Sequence, residues 1–375
     1  MLKTSSSKDS RHEIKSGSAV RSRMRVATLK IGMMSAWNET SGVSVHAELV
    51  GREWVRQGHD LKVFSFIEDD YHGRSLIGQD EPYVTRCFGT AQKTNYLNPI
   101  PILEGDYEIF IAQDLNMLPR HKLSSIFHMI KRKSKTIHII HESRLSEDPT
   151  FYEHEWDRLV CFDERFREFL LKVYRPEDIS LIPFPCMPWI EGDKREARVR
   201  LGLPQEKKVI LIFGQKWRHL GPEEFEVLRK LSTKIPMLVL IVSEAQRVTG
   251  VGGFECIFKK EVLERDELYR YLYASDTWLY PKRSIEGAAV LSSTIHLALG
   301  SGCIPVVRDS NFLYGVEKAV LSYRDKDEFE AMILEAFSQG EVWRRAKAEA
   351  KKYVAEHDSG RVAMEFIELF KSLKD

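Results

Sequence analysis

The chain lacks the marks of several large protein classes. Its five cysteines, Cys87, Cys161, Cys186, Cys256 and Cys303, lie far apart, are odd in number and never form a Cys-x-x-Cys pair. That argues against a disulfide scaffold or a structural zinc site and favours a reduced, cytoplasmic protein. No apolar run approaches the ~20 residues needed to span a bilayer. The opening MLKTSSSKDSRHEIKSGSAVRSR has no apolar core of the secretory type and reads as a disordered tail over residues 1–27. Excess charge is missing too. Lys and Arg number 56 against 55 Asp and Glu, a net charge of +1, whereas nucleic-acid surfaces concentrate positive charge. Neither half carries Gly-x-Gly-x-x-Gly after its first strand, which weakens a dinucleotide reading. No Asp-x-Asp pair occupies a suitable strand end, and no metal is expected.

What is present is an alternation. LKIGMMS is a short apolar strand, AWNETSGVSVH a turn-rich loop, HAELVGREWVRQGHD a helical pattern closing on Gly58, and LKVFSF a second strand. Strand, helix, strand with this spacing is the unit from which parallel sheets are built. YEIFIAQD, KTIHIIHES and DRLVCFD continue as strands, with helices over HKLSSIFHMIKRKSK and ERFREFLLKVY. Pro183, Pro185 and Pro188 then exclude regular helix. A second series runs from KVILIFGQ, apolar almost throughout as a strand covered on both faces should be, through MLVLIVS, FECIFKK, DTWLYP and CIPVVRD. The expected layout is an N-terminal α/β domain over 28–184, a linker over 185–206, a C-terminal α/β domain over 207–355 and a terminal helix over 356–375.

Ligands of open α/β sheets sit at the carboxyl ends of strands, where loops feed helix N-termini. Two such junctions in the second half hold suitable chemistry. In IFGQKWRHLGPEE, Gly214 permits close backbone approach, and Lys216 and Arg218 are cations that can hold a diphosphate. In SIEGAAVLSSTIHLALGSGCIPVV, Ser292, Ser293 and Thr294 stand where a short helix begins, so free N–H groups and hydroxyls converge on one spot. Glu286, in the loop before it, is a carboxylate suited to sugar hydroxyls. Each feature also has a plainer reading: a helix cap, solvated loop cations, a surface acid. The functional reading rests on all three falling at strand ends of one half, and it suits a nucleoside diphosphate joined to a sugar.

From Leu29 onward the chain resembles the GT-B glycosyltransferases, in particular the retaining family-4 type. The resemblance is carried by GVSVHAELVGREWVRQGHDLKVFSF, DRLVCFDERFREFLLKVY with SLIPFPCMPW, FGQKWRHLGPEE, and ELYRYLYASDTWLYPKRSIEG followed by ALGSGCIPVV. It implies two Rossmann-like domains facing a central cleft, with the terminal helix crossing back to the N-terminal domain. It also implies retaining transfer of a sugar from a nucleoside diphosphate to an acceptor hydroxyl, with no cofactor beyond the donor. By the same resemblance Gly42, Ser44 and His46 belong to the acceptor or N-terminal loop, although Ser41 replaces the usual first glycine. His141 matches the histidine beside the transferred sugar. Glu286 matches the first acid of a Glu-x7-Glu motif, while Thr294 or Leu297 occupies the place of the second. A different enzyme on this fold, such as a nucleotide-sugar epimerase, and a noncatalytic sugar-nucleotide-binding subunit remain alternatives. The acceptor is expected to be a carbohydrate or a lipid-linked group. Arg120, Lys122, Lys131, Arg132, Lys133 and Lys135 form a basic helix that either touches anionic headgroups or is a solvated face.

Overall fold

The computed structural model describes residues 27–67, 70, 76–214, 216–244 and 252–374. Apart from residue 27, the segment expected to be a tail lies outside them.

The first half runs β1 (Lys30–Met34), α1 (Gly42–Arg56), β2 (Asp60–Phe66), β3 (Val84–Phe88), α2 (Ile100–Glu104) and β4 (Ile109–Gln113). It continues with α3 (Arg120–Lys131), β5 (Lys135–Ile139), β6 (Arg158–Cys161), α4 (Glu164–Leu170) and β7 (Ile179–Leu181). These strands form one sheet in the order β3-β2-β1-β4-β5-β6-β7, with parallel ladders. After α5 (Lys194–Leu201), the second half holds β8 (Lys208–Phe213), α6 (Pro222–Ser232), β9 (Met237–Val242), β10 (Cys256–Lys259) and α7 (Arg265–Ala274). Then come β11 (Thr277–Tyr280), α8 (Ser293–Leu299), β12 (Val306–Arg308), β13 (Leu321–Tyr323), α9 (Lys326–Ser338), α10 (Glu341–Glu356) and α11 (Ser359–Lys374). Its sheet is ordered β10-β9-β8-β11-β12-β13, also with parallel ladders.

The chain is therefore α/β, with two doubly wound lobes. Both central strands read as their burial demands: in β8 Val209–Phe213 and in β9 Met237–Val242 are buried, because helices cover both faces. Strand order reverses beside β1 in one sheet and beside β8 in the other, and each reversal opens a crevice at the strands' carboxyl ends.

One expectation needs correction. The helix expected from His46 starts four residues earlier, at Gly42, because Ser41 caps it by accepting from the Ser44 N–H at 3.1 Å. The segment expected as the linker carries a helix, α5, capped by Asp193 at its start and ended by the left-handed Gly202.

α11 returns to the N-terminal lobe as expected. Val362, Ala363, Phe366 and Phe370 join that lobe's core, and Trp54 on α1 donates its indole N–H to the Ala363 carbonyl at 3.1 Å. Asp358 prepares the helix start by accepting from the Gly360 N–H at 2.8 Å.

Candidate functional site

The two crevices face one another. A cavity of about 510 Å³ lies between the segment after β1 (Glu39–Val45) and the ends of β8 and β9 with the start of α8. On the first wall, Ser44 Oγ donates to Glu48 Oε1 at 2.6 Å and accepts from the Glu39 N–H at 2.9 Å, so the loop is tied to its own helix. Gly42 presents bare backbone to the opposite lobe. A β-carbon there would stand 3.0 Å from Ser293 Oγ.

On the second wall, Gly214 leaves β8 with φ +64°, a conformation that L side chains rarely adopt. The short turn Lys216–His219 follows. Ser293 and Thr294 line the cavity. Ser292 does not: it is buried and caps α8, accepting from the Ile295 N–H at 3.2 Å. Two acidic residues of the second lobe, Glu244 and Glu261, also line the space, and Glu261 accepts from the Tyr271 hydroxyl at 2.9 Å, whereas the side chain of Glu39 is buried beside Arg86. Thr294 and Leu297, the two positions aligned with the second acid, both face this cavity. Carboxylates thus reach it from other elements than α8.

The remaining expected residues divide. Gly42, Gly214, Ser293 and Thr294 meet at the cavity. Ser44 and His46 are wholly buried on the inner face of α1 and do not line the cavity. Arg218 is exposed and does not line the cavity, and the side chain of Lys216 lies outside the described residues. Glu286 is exposed on the loop before α8, whose shape Asn311 fixes by donating to the Ile285 and Ala288 carbonyls at 2.8 and 3.0 Å. That loop crosses to the other lobe, where the Ala289 N–H donates to the Ser143 carbonyl at 2.8 Å. Beside this crossing a second cavity, of about 520 Å³, is lined by Ser143–Leu145, α4 and Gly287–Ala289. His141 is half-buried two residues before it.

The basic helix is less free than its sequence suggested. Arg120 pairs with Asp148, Lys131 donates to the Glu155 carbonyl, and Lys133 donates to the carbonyls of Leu103 and Gly105 at 2.7 and 2.6 Å. Lys122 on the helix and Arg132 just after it are exposed, while Lys135, expected to belong to the helix, is exposed at the start of β5.

Several residues matter that sequence reasoning passed over. Gln113, the last residue of β4, is wholly buried and touches both His46 Nδ1, at 3.0 Å, and His141 Nε2, at 2.9 Å. Asp114 follows in a left-handed conformation, φ +55°. Burial and the adjacent Glu142 carboxylate push its pKa well above the ordinary value. Burial lowers that of His46 to about 3. Across the lobes, Arg265 on α7 donates to Glu48 Oε2 at 2.6 Å, and Arg52 pairs with the same carboxylate at 2.9 Å. On the far side Arg165 reaches the carbonyls of Asn311 and Val290 at 2.8 and 2.9 Å. The lobes are clasped on both flanks of the cleft. A carboxylate ending β4 was visible in the sequence, but its partner Glu142 could be paired with it only once β4 and β5 were seen side by side.

No family model matches the chain. Among solved structures, a sucrose-phosphate synthase from Thermosynechococcus elongatus matches with a TM-score of 0.65 at 14% identity, over 92% of this chain and 99% of that one. A glycosyltransferase from Rickettsia africae matches at 0.61 and 11%, over 93% and 100%. WaaG, a glycosyltransferase involved in lipopolysaccharide biosynthesis, matches at 0.59 and 11%, over 91% and 99%. Likeness at such identities establishes architecture, and the architecture is the two-lobed GT-B fold.

Proposed function

We propose that the cleft binds a nucleoside-diphosphate sugar and that the protein transfers its sugar to an acceptor hydroxyl with retained configuration, needing neither metal nor further cofactor. One observation carries the reading: both topological switch points open onto a single cavity where Gly42 meets Ser293 with no side chain between. The structural neighbours that are named as glycosyltransferases support it.

The central difficulty of such a transfer is negative charge growing on the departing diphosphate. Groups already in place stabilise that charge without rearranging, and removing one such donor typically costs about 2.7–4 kcal/mol of barrier. In our reading the first amides of α8 and the hydroxyls of Ser293 and Thr294 are those groups, and Lys216 and Arg218, on the turn after β8, close on the diphosphate when the donor binds. Glu244 and Glu261 are poor neighbours for phosphate but good acceptors for ribose or sugar hydroxyls, so the hydroxyl-rich portion lies toward them. Glu286 orients the sugar from its loop, and His141 lines the sugar's other face. The departing phosphate oxygen takes the acceptor proton. The two flanking clasps keep the lobes together and exclude water that would hydrolyse the donor.

The acceptor, a carbohydrate or a lipid-linked group, enters the cleft from the N-terminal lobe. Anionic membrane surfaces contribute about 1 kcal/mol per nearby cation. Lys122, Arg132 and Lys135 alone give weak attachment, and we assign α3 no essential role. A binding-only function is the second reading. It is favoured by the hydroxyl or leucine at the second acid's position and by the Ala289–Ser143 bond that already bridges the lobes.

The test is incubation with UDP-, GDP- and ADP-sugars, following nucleotide release and product configuration. Turnover of one donor, lost in Glu286→Ala and in the Lys216→Ala/Arg218→Ala double variant, supports transfer. Conversion of the donor with no acceptor present indicates an epimerase. Binding without turnover indicates the noncatalytic form. Binding that survives all three substitutions unchanged defeats the site assignment.

A further inference from the structure

We infer that Gln113 is the positioning residue of the N-terminal lobe, its side-chain oxygen holding His141 in one neutral tautomer and one ring orientation with His46 as a buried second donor. The role of His141 itself rests on the transfer reading above, whereas the hydrogen-bond assignment stands on the fold alone.

An amide oxygen accepts and never donates. Gln113 Oε1 lies 3.0 Å from His46 Nδ1 and 2.9 Å from His141 Nε2, so both ring nitrogens carry hydrogen toward it. The amide orientation follows from its other end. Gln113 Nε2 lies 3.0 Å from Met33 Sδ, where an N–H is attracted to sulfur and a carbonyl oxygen would be repelled. His46 corroborates the assignment. Its Nε2 has no hydrogen-bond partner among the described residues, and the ring packs against Phe162, Phe184 and Phe366. A bare lone pair in such surroundings costs less than an unpaired N–H, which places the single proton on Nδ1.

The second ring is fixed by the same oxygen: Nε2 of His141 is committed as donor, which makes Nδ1 the acceptor nitrogen of the neutral ring. The ring is wedged against His46 at a 5.2 Å centroid separation and 83°, and against Phe162 at 4.9 Å. Its backbone N–H is anchored as well, donating to Glu142 Oε2 at 3.0 Å. A glutamate in place of Gln113 would draw a proton onto the rings, while glutamine orients them without adding charge. Of the nearby titratable groups, Glu142 holds the His141 backbone N–H and lies beside Asp114 and His138.

The experiment is long-range proton–nitrogen NMR on the full chain carrying ¹⁵N-histidine, with signals assigned through His46→Gln and His141→Asn. The expected result is an Nδ1–H tautomer for His46 and an Nε2–H tautomer for His141. Gln113→Leu should abolish the bias at His141. Should that variant not fold, the isosteric Gln113→Glu decides, raising the His141 midpoint by about one to three pH units. An Nδ1–H tautomer at His141, or a midpoint unmoved in Gln113→Glu, overturns the inference. Turnover gives a second readout: Gln113→Glu should lose activity below the raised midpoint and regain it above, and loss independent of pH also overturns it. Absence of turnover in the wild type would sink the transfer reading and leave the NMR result to judge Gln113.

Discussion

Gly42 and Ser293, 251 positions apart in sequence, meet across the cleft so closely that a single added methyl group on Gly42 would come within 3.0 Å of the serine oxygen. Neither residue is informative alone. Together they mark where the two lobes leave only backbone and hydroxyl for a ligand to touch.

Gly42→Val should therefore damage binding more than folding. Position 42 opens α1 at a normal helical site, and the obstruction falls in the cavity. Overpacking typically costs about 1–3 kcal/mol, so the dissociation constant for the bound nucleoside diphosphate should rise roughly tenfold. Calorimetric titration beside a melting curve checks this. A large drop in melting temperature with binding intact would contradict it.

Glu48 is the hub of one interlobe clasp. It is buried, with Arg52 and Arg265 on its carboxylate and the Asn38 and Ser44 donors beside them. Glu48→Ala removes the carboxylate from Arg265, while Arg52 keeps Glu81 at 2.7 Å, and breaking a buried pair in this way costs about 3–5 kcal/mol. Arg265→Ala, which leaves Arg52 in place, should cost less. Denaturant titration of both variants tests the order, and equal losses would show that the clasp is not centred on Glu48.

Trp54 holds α11 against the N-terminal lobe through one hydrogen bond and edge contacts with Phe366 and Phe370. Trp54→Ala should destabilise by about 3–5 kcal/mol. Proteolysis should then begin in α11, and a variant as stable as the parent would refute the docking role.

Acid should unfold the protein earlier than its carboxylates alone require. Burial holds His46 at a pKa of about 3 and His154 and His296 at about 4. The unfolded chain binds protons at these residues near pH 6.5, and the folded one does not. Their contribution is complete above that pH and declines as pH falls toward 4, by up to about 1.4 kcal/mol per pH unit for each residue. Asp114 acts in the opposite sense: its raised pKa means that the folded state retains a proton the unfolded chain has released. It lowers stability at neutral pH. Asp114→Asn, which keeps the acceptor for the Asn116 N–H and tolerates positive φ, should be more stable than the parent at pH 7 and lose that advantage near pH 4. Urea titrations across this range check both signs.

The alternation of strands and helices was legible because buried parallel strands such as KVILIF and MLVLIV are continuous apolar runs. The early start of α1 was not, since its cap, Ser41, looks like any loop serine until the Ser44 amide is seen beneath it. The candidate site was half legible. A glycine and hydroxyls at strand ends pointed to Gly214, Ser293 and Thr294, and the resemblance added Gly42, but no spacing rule separates a serine that lines a cavity from Ser292 and Ser44, which are consumed by caps and helix ties. Gln113 and the Glu48–Arg265 pair, 217 positions apart, depend on contacts that only the folded chain creates.

The central claim is that a nucleoside diphosphate docks between the segment after β1 and the start of α8. Hydrogen exchange with saturating UDP, GDP and ADP tests it most directly. One of the three should protect the amides of residues 42–45 and 293–297 together, on both lobes at once. Protection by none of them, or protection confined to one lobe, would contradict the account.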